Sequence, residues 1–135
     1  MKKFLSIVFV ALITVSCGGG YDRMAERDKI IDVHDEVMPK LGEVMNLRKQ
    51  VLAKSQEAND EAAAADLRDL AAELEAARKG MMTWMNDWSK TSKEHVNGVT
   101  SEEAQKSYFA AEMKRITKVK EDINSAITSA KEVLK

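Results

Sequence analysis

The stretch IIDVHDEVMPKLGEVMNLRKQVL, residues 30–52, decides the fold of this chain. A seven-residue repeat of apolar pairs keeps them on one side of an α-helix, and His34 and Leu41 fill the space between the pairs. The stretch therefore predicts a long amphipathic helix, which we place at residues 22–55. The apolar pairs are Ile30 and Ile31, Val37 and Met38, Val44 and Met45, and Val51 and Leu52.

Pro39, the only proline, interrupts this helix without shifting its pattern. Inside a helix, proline removes one backbone hydrogen bond and clashes with the preceding turn, at a cost of about 3 kcal/mol or more. Proline can also stand at the first position of a helix. Because the apolar pairs keep their spacing across Pro39, we expect one kinked helix in which the carbonyl of Asp35 lacks its usual donor.

A second helix is predicted over residues 60–89. Asn59 is a suitable N-cap, and Asp60 and Glu61 follow it in the first turn. Because the apolar stripe of this helix does not continue the phase of the first, we expect a turn near residues 56–59. The stripe keeps a heptad spacing through Leu67, Leu70, Leu74, Ala77, Met81, Trp84 and Trp88.

A third helix is predicted over residues 101–134. The polar stretch before it contains Asn97-Gly98, a strong turn signal, so we expect a loop over residues 89–99 that holds a solvated His95. Thr100-Ser101-Glu102-Glu103 is a capping-box sequence. The apolar face that follows comprises Phe109, Met113, Ile116, Val119, Ile123, Ala126, Ile127, Ala130, Val133 and Leu134.

Composition favours an all-α protein, because proline occurs once and the strong helix formers Ala, Glu, Lys, Leu and Met are abundant. Each predicted helix is roughly 45–50 Å long, and short connections make sequence neighbours antiparallel. We therefore predict one domain, an elongated up-down-up antiparallel three-helix bundle over residues 22–135. An intermolecular coiled coil is the alternative, because a heptad stripe does not reveal whether its partner is the same chain.

The first residues predict export. A short basic start is followed by an apolar run from Phe4 to Val15. This run is shorter than the roughly twenty residues that span a bilayer, so residues 1–16 are typical of a cleaved signal peptide. Cys17, the only cysteine, stands where cleavage is expected, and residues 17–21 form a glycine-rich tether.

This segment resembles the signal of bacterial lipoproteins, although Thr14 replaces their most common leucine. The resemblance implies that Cys17 receives lipid, such as palmitate, and becomes the acylated N-terminus, so that two or more acyl chains hold the protein stably on a membrane. Gly18 stands where lipoproteins retained in the inner membrane carry aspartate, which favours the outer membrane, on either face. The alternative is a free thiol, since a lone cysteine cannot form an internal disulfide.

Charge and motifs argue against several classes of function. Loss of two lysines with the signal takes the formal charge from −1 to −3, and no basic block suggests nucleic-acid binding. Acid pairs such as Asp35-Glu36 point to different sides of a helix. The sequence has no Ser–His–acid arrangement and no glycine-rich phosphate loop. We therefore predict that the protein is not an enzyme and needs no cofactor.

His34 and nearby methionines form the one candidate site. If the first hairpin turns near Glu57, His34 faces Met81 and Ile31 faces Trp84. The tethered end of the bundle then gathers a cluster of soft, aromatic and acidic side chains. The cluster comprises His34, Met38, Met81, Trp84, Met85, Trp88, Phe109, Glu112 and Met113.

Two interpretations of this cluster remain open. Thioether and imidazole groups suit Cu(I), and a haem ligated by His34 and a methionine is a further variant. Core packing is favoured, because methionine packs well against aromatic rings and no spacing of a known metal motif is present. The candidate metal ligands are His34, Met38, Met81, Met85 and Glu112.

The segments HDEVMPKLGEVMNLRKQ, residues 34–50, and MMTWMNDW, residues 81–88, resemble a group of small lipoproteins from Bacteroidota often labelled viral A-type inclusion proteins. The resemblance implies a stable lipoprotein body in which the two segments belong together. It carries no established activity or functional residues. We therefore expect a non-enzymatic envelope lipoprotein, a structural or protein-interaction module with an unidentified protein partner or self-association.

Overall fold

The computed structural model describes residues 20–135, so the predicted signal peptide, Cys17 and the first two glycines of the tether lie outside it. Four α-helices follow one another: α1 (Arg23–Val37), α2 (Leu41–Glu57), α3 (Glu61–Val96) and α4 (Glu102–Val133). A single 3-10 turn, Met38–Lys40, joins α1 to α2. No strand occurs among the described residues. The prediction of an all-α helical bundle is confirmed.

The long helices run up, down and up within one chain. Arg23 at the start of α1 donates to the carbonyl of Val96 at the end of α3, at 3.0 Å. At the opposite end, Lys54 of α2 donates to the carbonyl of Val133 of α4. The first long helix is therefore parallel to α4, and α3 is antiparallel to both. The apolar stripes pack against one another inside the molecule, as predicted for an intramolecular bundle.

The seven-residue repeat of the opening stretch forms one wall of the core. Ile30, Val37, Val44 and Val51 are all fully buried, so the repeat keeps its phase across Pro39. The second member of each pair lies further out, and Met45 is 61% exposed. The prediction that Met45 belongs to the buried stripe is wrong, because the stripe is centred on the first member of each pair.

Pro39 divides the first long helix into two parts. The backbone N–H of Met38 still donates to the carbonyl of His34, so the α-helical hydrogen bonding persists up to the proline. One 3-10 turn then follows before α2 begins. The predicted kinked helix is thus present as α1 and α2. After the 3-10 turn, α2 packs on both α3 and α4. Before it, α1 packs mainly on α4.

Side-chain caps fix where α3 and α4 begin. The Asp60 carboxylate accepts from a backbone N–H in the first turn of α3 at 3.1 Å, and the Ser101 hydroxyl does the same for α4 at 3.2 Å. The predicted cap at Asn59 and the capping box of Thr100 and Glu103 are therefore wrong by one residue. Neighbouring residues at both sites carry side-chain oxygens, which local preferences rank equally.

The helix α3 extends seven residues beyond its predicted end at Ser89 and stops at Val96. The polar stretch after Ser89 is a solvent-facing helical surface, in which the hydroxyls of Ser89 and Thr91 donate to carbonyls of the preceding turn. The polar composition of residues 89–96 therefore reflects an exposed helix face and not a loop. The turn itself lies at the predicted Asn97-Gly98, where Gly98 has a φ of +71°.

Gly98→Ala is expected to lower the free energy of unfolding by about 1–2 kcal/mol, because a side chain strains this left-handed backbone. The new Cβ would also lie 3.0 Å from Cζ of Arg23, and this contact forces the guanidinium away from the carbonyl of Val96. Gly42→Ala is the matched control. Gly42 is helical with open space around it, so its replacement is expected to raise stability by about 0.5 kcal/mol. Urea unfolding measures both variants, and equal effects would contradict the assignment.

Candidate functional site

A row of aromatic rings crosses the half of the bundle nearest Tyr21. Ring centroids are separated by 5.7 Å between His34 and Trp84, 5.4 Å between Trp84 and Trp88, and 6.0 Å between Trp88 and Tyr108. The row ends where His95 stacks on Tyr108 at 4.0 Å. We call these five side chains the aromatic row. They bring together α1, α3 and α4.

His34 lies at the α1 end of this row, near the surface. Its side chain is 18% exposed, and its Nδ1 is 2.8 Å from a carboxylate oxygen of Asp35. Its ring lies beside Trp84, three residues along α3 from the predicted Met81. The register differs by three residues because the first hairpin turns at residues 58–60, slightly later than the predicted turn near Glu57.

Trp84 occupies the centre of the row and is 2% exposed. It sits where α1 has turned towards α4 and has fewer contacts with α3. A large ring is therefore needed to fill the space between the helices. Its indole Nε1 has no hydrogen-bond partner among the residues that the structure describes. Trp84 thus contributes mainly through packing.

Glu112 lies between Phe109 and Ile116 in the heptad positions of α4 and is the only buried acid among the described residues, at 5% exposed. Its Oε1 accepts from Arg115 at 2.8 Å, and the same guanidinium reaches Asp87 of α3 at 2.6 Å. The hydrogen bond to Glu112, followed by that to Asp87, raises the pKa of Arg115 above its ordinary value. Glu112 is therefore ion-paired with Arg115 and not with His34.

The sequence pattern placed Glu112 in the cluster but indicated neither its partner Arg115 nor Asp87, which accepts from the same guanidinium. The i, i+3 spacing of Glu112 and Arg115 is a recognisable signal for a helical ion pair. Asp87 is on another helix and gives no such local signal. The Oε2 atom of Glu112 is buried without a hydrogen bond within residues 20–135.

The far end of the aromatic row is a packed surface rather than a loop. His95 lies in the last turn of α3, half-buried, and its Nδ1 bonds the Thr100 hydroxyl at 3.0 Å. The expectation of a solvated His95 in a loop is therefore wrong. Burial raises the pKa of Tyr108, and the hydrogen bond between its hydroxyl and Thr91 partly opposes that shift.

The methionines of the cluster fall into two groups. Met81 is fully buried in the core. Met38 and Met85 are half-buried at the edge of the core, and Met82, which was not among the candidates, is 45% exposed. Within the described part of the chain, no three His, Cys, Asp or Glu side chains come together as a possible metal site. Methionine is not one of these four residue types, and its sulfur is a further soft ligand for a metal.

Over residues 20–135, no helix has the length and apolar character needed to cross a membrane. No protein-family model, curated protein or solved structure matches this chain.

Proposed function

We propose that this protein is a lipid-anchored lipoprotein of the bacterial envelope that acts, without catalysis, as a structural or protein-interaction module. The observation that carries the proposal is how soon the fold begins after the tether. Tyr21 already packs on the core, with the Lys106 ammonium 5.0 Å from its ring centroid. Asp22 then caps α1 through backbone N–H groups at 2.9 and 3.2 Å. An anchor at Cys17 would therefore hold one end of the bundle close to the membrane.

The dimensions of the bundle support a role as a spacer or presenting module. Residues 17–22 span at most about 20 Å when fully extended. The 36 residues of α3 are about 54 Å long at 1.5 Å per residue. The end formed by the α2–α3 turn and the close of α4 would thus stand about 50 Å beyond the tethered end. A partner protein bound there is kept clear of the lipid headgroups.

Loss of the lipid is the test of this proposal. We expect wild-type cells grown with labelled palmitate to incorporate label into the mature chain, and Cys17→Ser to abolish it. Because a defective lipoprotein signal can leave the precursor uncleaved, a second form combines Cys17→Ser with an ordinary cleavable export signal in place of residues 1–16. This signal-exchanged form is expected in the soluble periplasmic fraction, whereas wild type sediments with the outer membrane.

Met24→Leu is the control, because Met24 is exposed on α1 and close to the tether but carries no acyl group. It is expected to incorporate label and to fractionate as wild type does. Label in Cys17→Ser, or membrane binding of the signal-exchanged form, would contradict the anchor.

A further inference from the structure

We propose that His34, Met38, Met82 and Met85 form a surface site for Cu(I) in the seam between α1 and α3. This site is separate from the anchor and from the interaction role proposed above. It differs from the ligand set expected from the sequence, because Met81 is in the core and Glu112 is paired with Arg115. Two of the soft donors lie on α3, and the other two are His34 of α1 and Met38, the first residue of the 3-10 turn; the members of each pair are about one turn apart.

The hydrogen bond of His34 prepares its other nitrogen for a metal. An ionised carboxylate only accepts hydrogen bonds, so Nδ1 of His34 must donate to Asp35. In the neutral imidazole, Nε2 then carries the free lone pair. Among the described residues, the His34 side chain forms its hydrogen bond through Nδ1 and not through Nε2. A carboxylate behind the ligating histidine is the usual arrangement around bound metals, since it fixes the tautomer and orients the ring.

Met38 is positioned beside His34 in spite of the proline that follows it. The backbone N–H of Met38 donates to the carbonyl of His34, so the two residues are separated by one α-helical turn. Side chains at this spacing lie on the same face, with Cβ atoms about 5–6 Å apart. The Met38 side chain is half-buried, so it lies at the edge of the seam and not in the core.

The contacts of α3 show which of its faces borders α1 and α2. Asp87 bonds Arg115 of α4, and a Cβ on Gly80 would be 4.0 Å from Val119 of α4, so this face is turned towards α4. On the other side, Glu75 is 3.8 Å from Arg48 of α2.

Two methionines belong to the face that borders the first long helix. Arg78 bonds Glu75, and Met82 and Met85 follow Arg78 at helical intervals of four and three residues. They therefore continue the face of Arg78 along the seam.

The register brings the two pairs of donors level. His34 contacts Trp84, and Arg48 contacts Glu75 further along the antiparallel pair. The first contact puts Met85 one residue from the level of His34, and the two contacts together put Met38 level with residues 80–85, which include Met82 and Met85. The seam thus places an HxxxM pair opposite an MxxM pair.

The chemistry of these groups selects a soft monovalent ion. Thioether and imidazole ligands are neutral and polarisable, which suits Cu(I), whereas Ca²⁺ and Mg²⁺ require oxygen ligands. The ring of Trp84 packs beside the site, 5.7 Å from the imidazole centroid, and offers a π face to a bound cation. The exposed carboxylate of Asp35 compensates the added charge.

Competition titration of Cu(I) tests the site. The mature chain carries Cys17→Ser, which removes its only thiol, and the titration is made without oxygen against a chromophoric Cu(I) chelator. We expect one equivalent to bind with a Kd below about 1 µM and to quench tryptophan fluorescence. His34→Ala and the double variant Met38→Leu/Met85→Leu are each expected to weaken binding at least tenfold. Leucine keeps the packing volume and removes the thioether, so circular dichroism should be unchanged.

Met24→Leu is the control, since Met24 is 40% exposed on α1 and precedes His34 by ten residues, almost three helical turns. It should bind as wild type does. Wild-type binding weaker than about 1 µM, or tight binding that the Met38/Met85 double variant retains, would overturn the proposal. Neither result bears on the anchor at Cys17, which is tested by palmitate labelling.

Discussion

Trp84→Ala is expected to lower the free energy of unfolding by about 3–5 kcal/mol, which is a large part of the stability of a small domain. The indole is 2% exposed and touches His34 on one side and Trp88 on the other. Because α1 packs mainly on α4 and less on α3, the space that the ring leaves would be only partly refilled. The cost therefore includes both lost burial and an unfilled cavity.

Urea denaturation followed by circular dichroism measures this effect, and two variants locate its cause. Trp84→Phe keeps one aromatic ring but removes the rest of the indole, including the Nε1 group that has no partner among the described residues, so a smaller loss of about 1–2 kcal/mol is expected. Trp88→Ala removes a half-buried ring and should cost less than Trp84→Ala. Equal losses for the two alanine variants would show that Trp84 has no special place in the core.

Arg115→Met is expected to lower the free energy of unfolding by about 3 kcal/mol, although Arg115 itself is partly exposed. The reason lies with its partner, since the Glu112 side chain is only 6% exposed and its Oε1 loses the guanidinium. Oε2 already lacks a hydrogen bond within the described chain. A buried carboxylate with no partner costs far more than the ion pair contributes.

Glu112→Leu in the Arg115→Met background is the decisive comparison. The double variant places an apolar residue in a heptad position between Phe109 and Ile116, so its stability should return to within about 1 kcal/mol of wild type or exceed it. Lys118→Met is the control for an exposed pair, because Lys118 bonds Asp122 at 2.8 Å on the solvent face, and no measurable change is expected. If the double variant is no more stable than Arg115→Met, burial of Glu112 is not the cause.

The parts of the fold that sequence predicts well are those set by repeated apolar spacing. Ile30, Val37, Val44 and Val51 are spaced by seven residues and are all buried, so the pattern alone identifies this wall of the core. The spacing averages over several turns and is therefore insensitive to one proline. The spacing could not predict that Met45 is exposed, because a pair of apolar residues does not show which member points inwards.

Local signals predicted the helix ends less well. Polar composition suggested a loop after Ser89, but an exposed helix face has the same composition. Adjacent capping residues at Asn59 and Asp60 were indistinguishable, because both have side-chain oxygens. The candidate site depended on register, and a shift of three residues moved His34 from Met81 to Trp84. Such a shift follows from the exact position of one turn, which no repeat encodes.

The parallel course of the first long helix and α4 has a mechanical consequence. Arg23 and Val133 lie at opposite ends of the bundle, because α1 begins beside Val96 while α4 ends beside Lys54. A tensile force between a lipid at Cys17 and a partner bound near Val133 would slide these helices past each other in shear. Contacts along the whole length then share the force, whereas helices pulled apart from one end would unzip turn by turn. The topology thus favours slow rupture under tension.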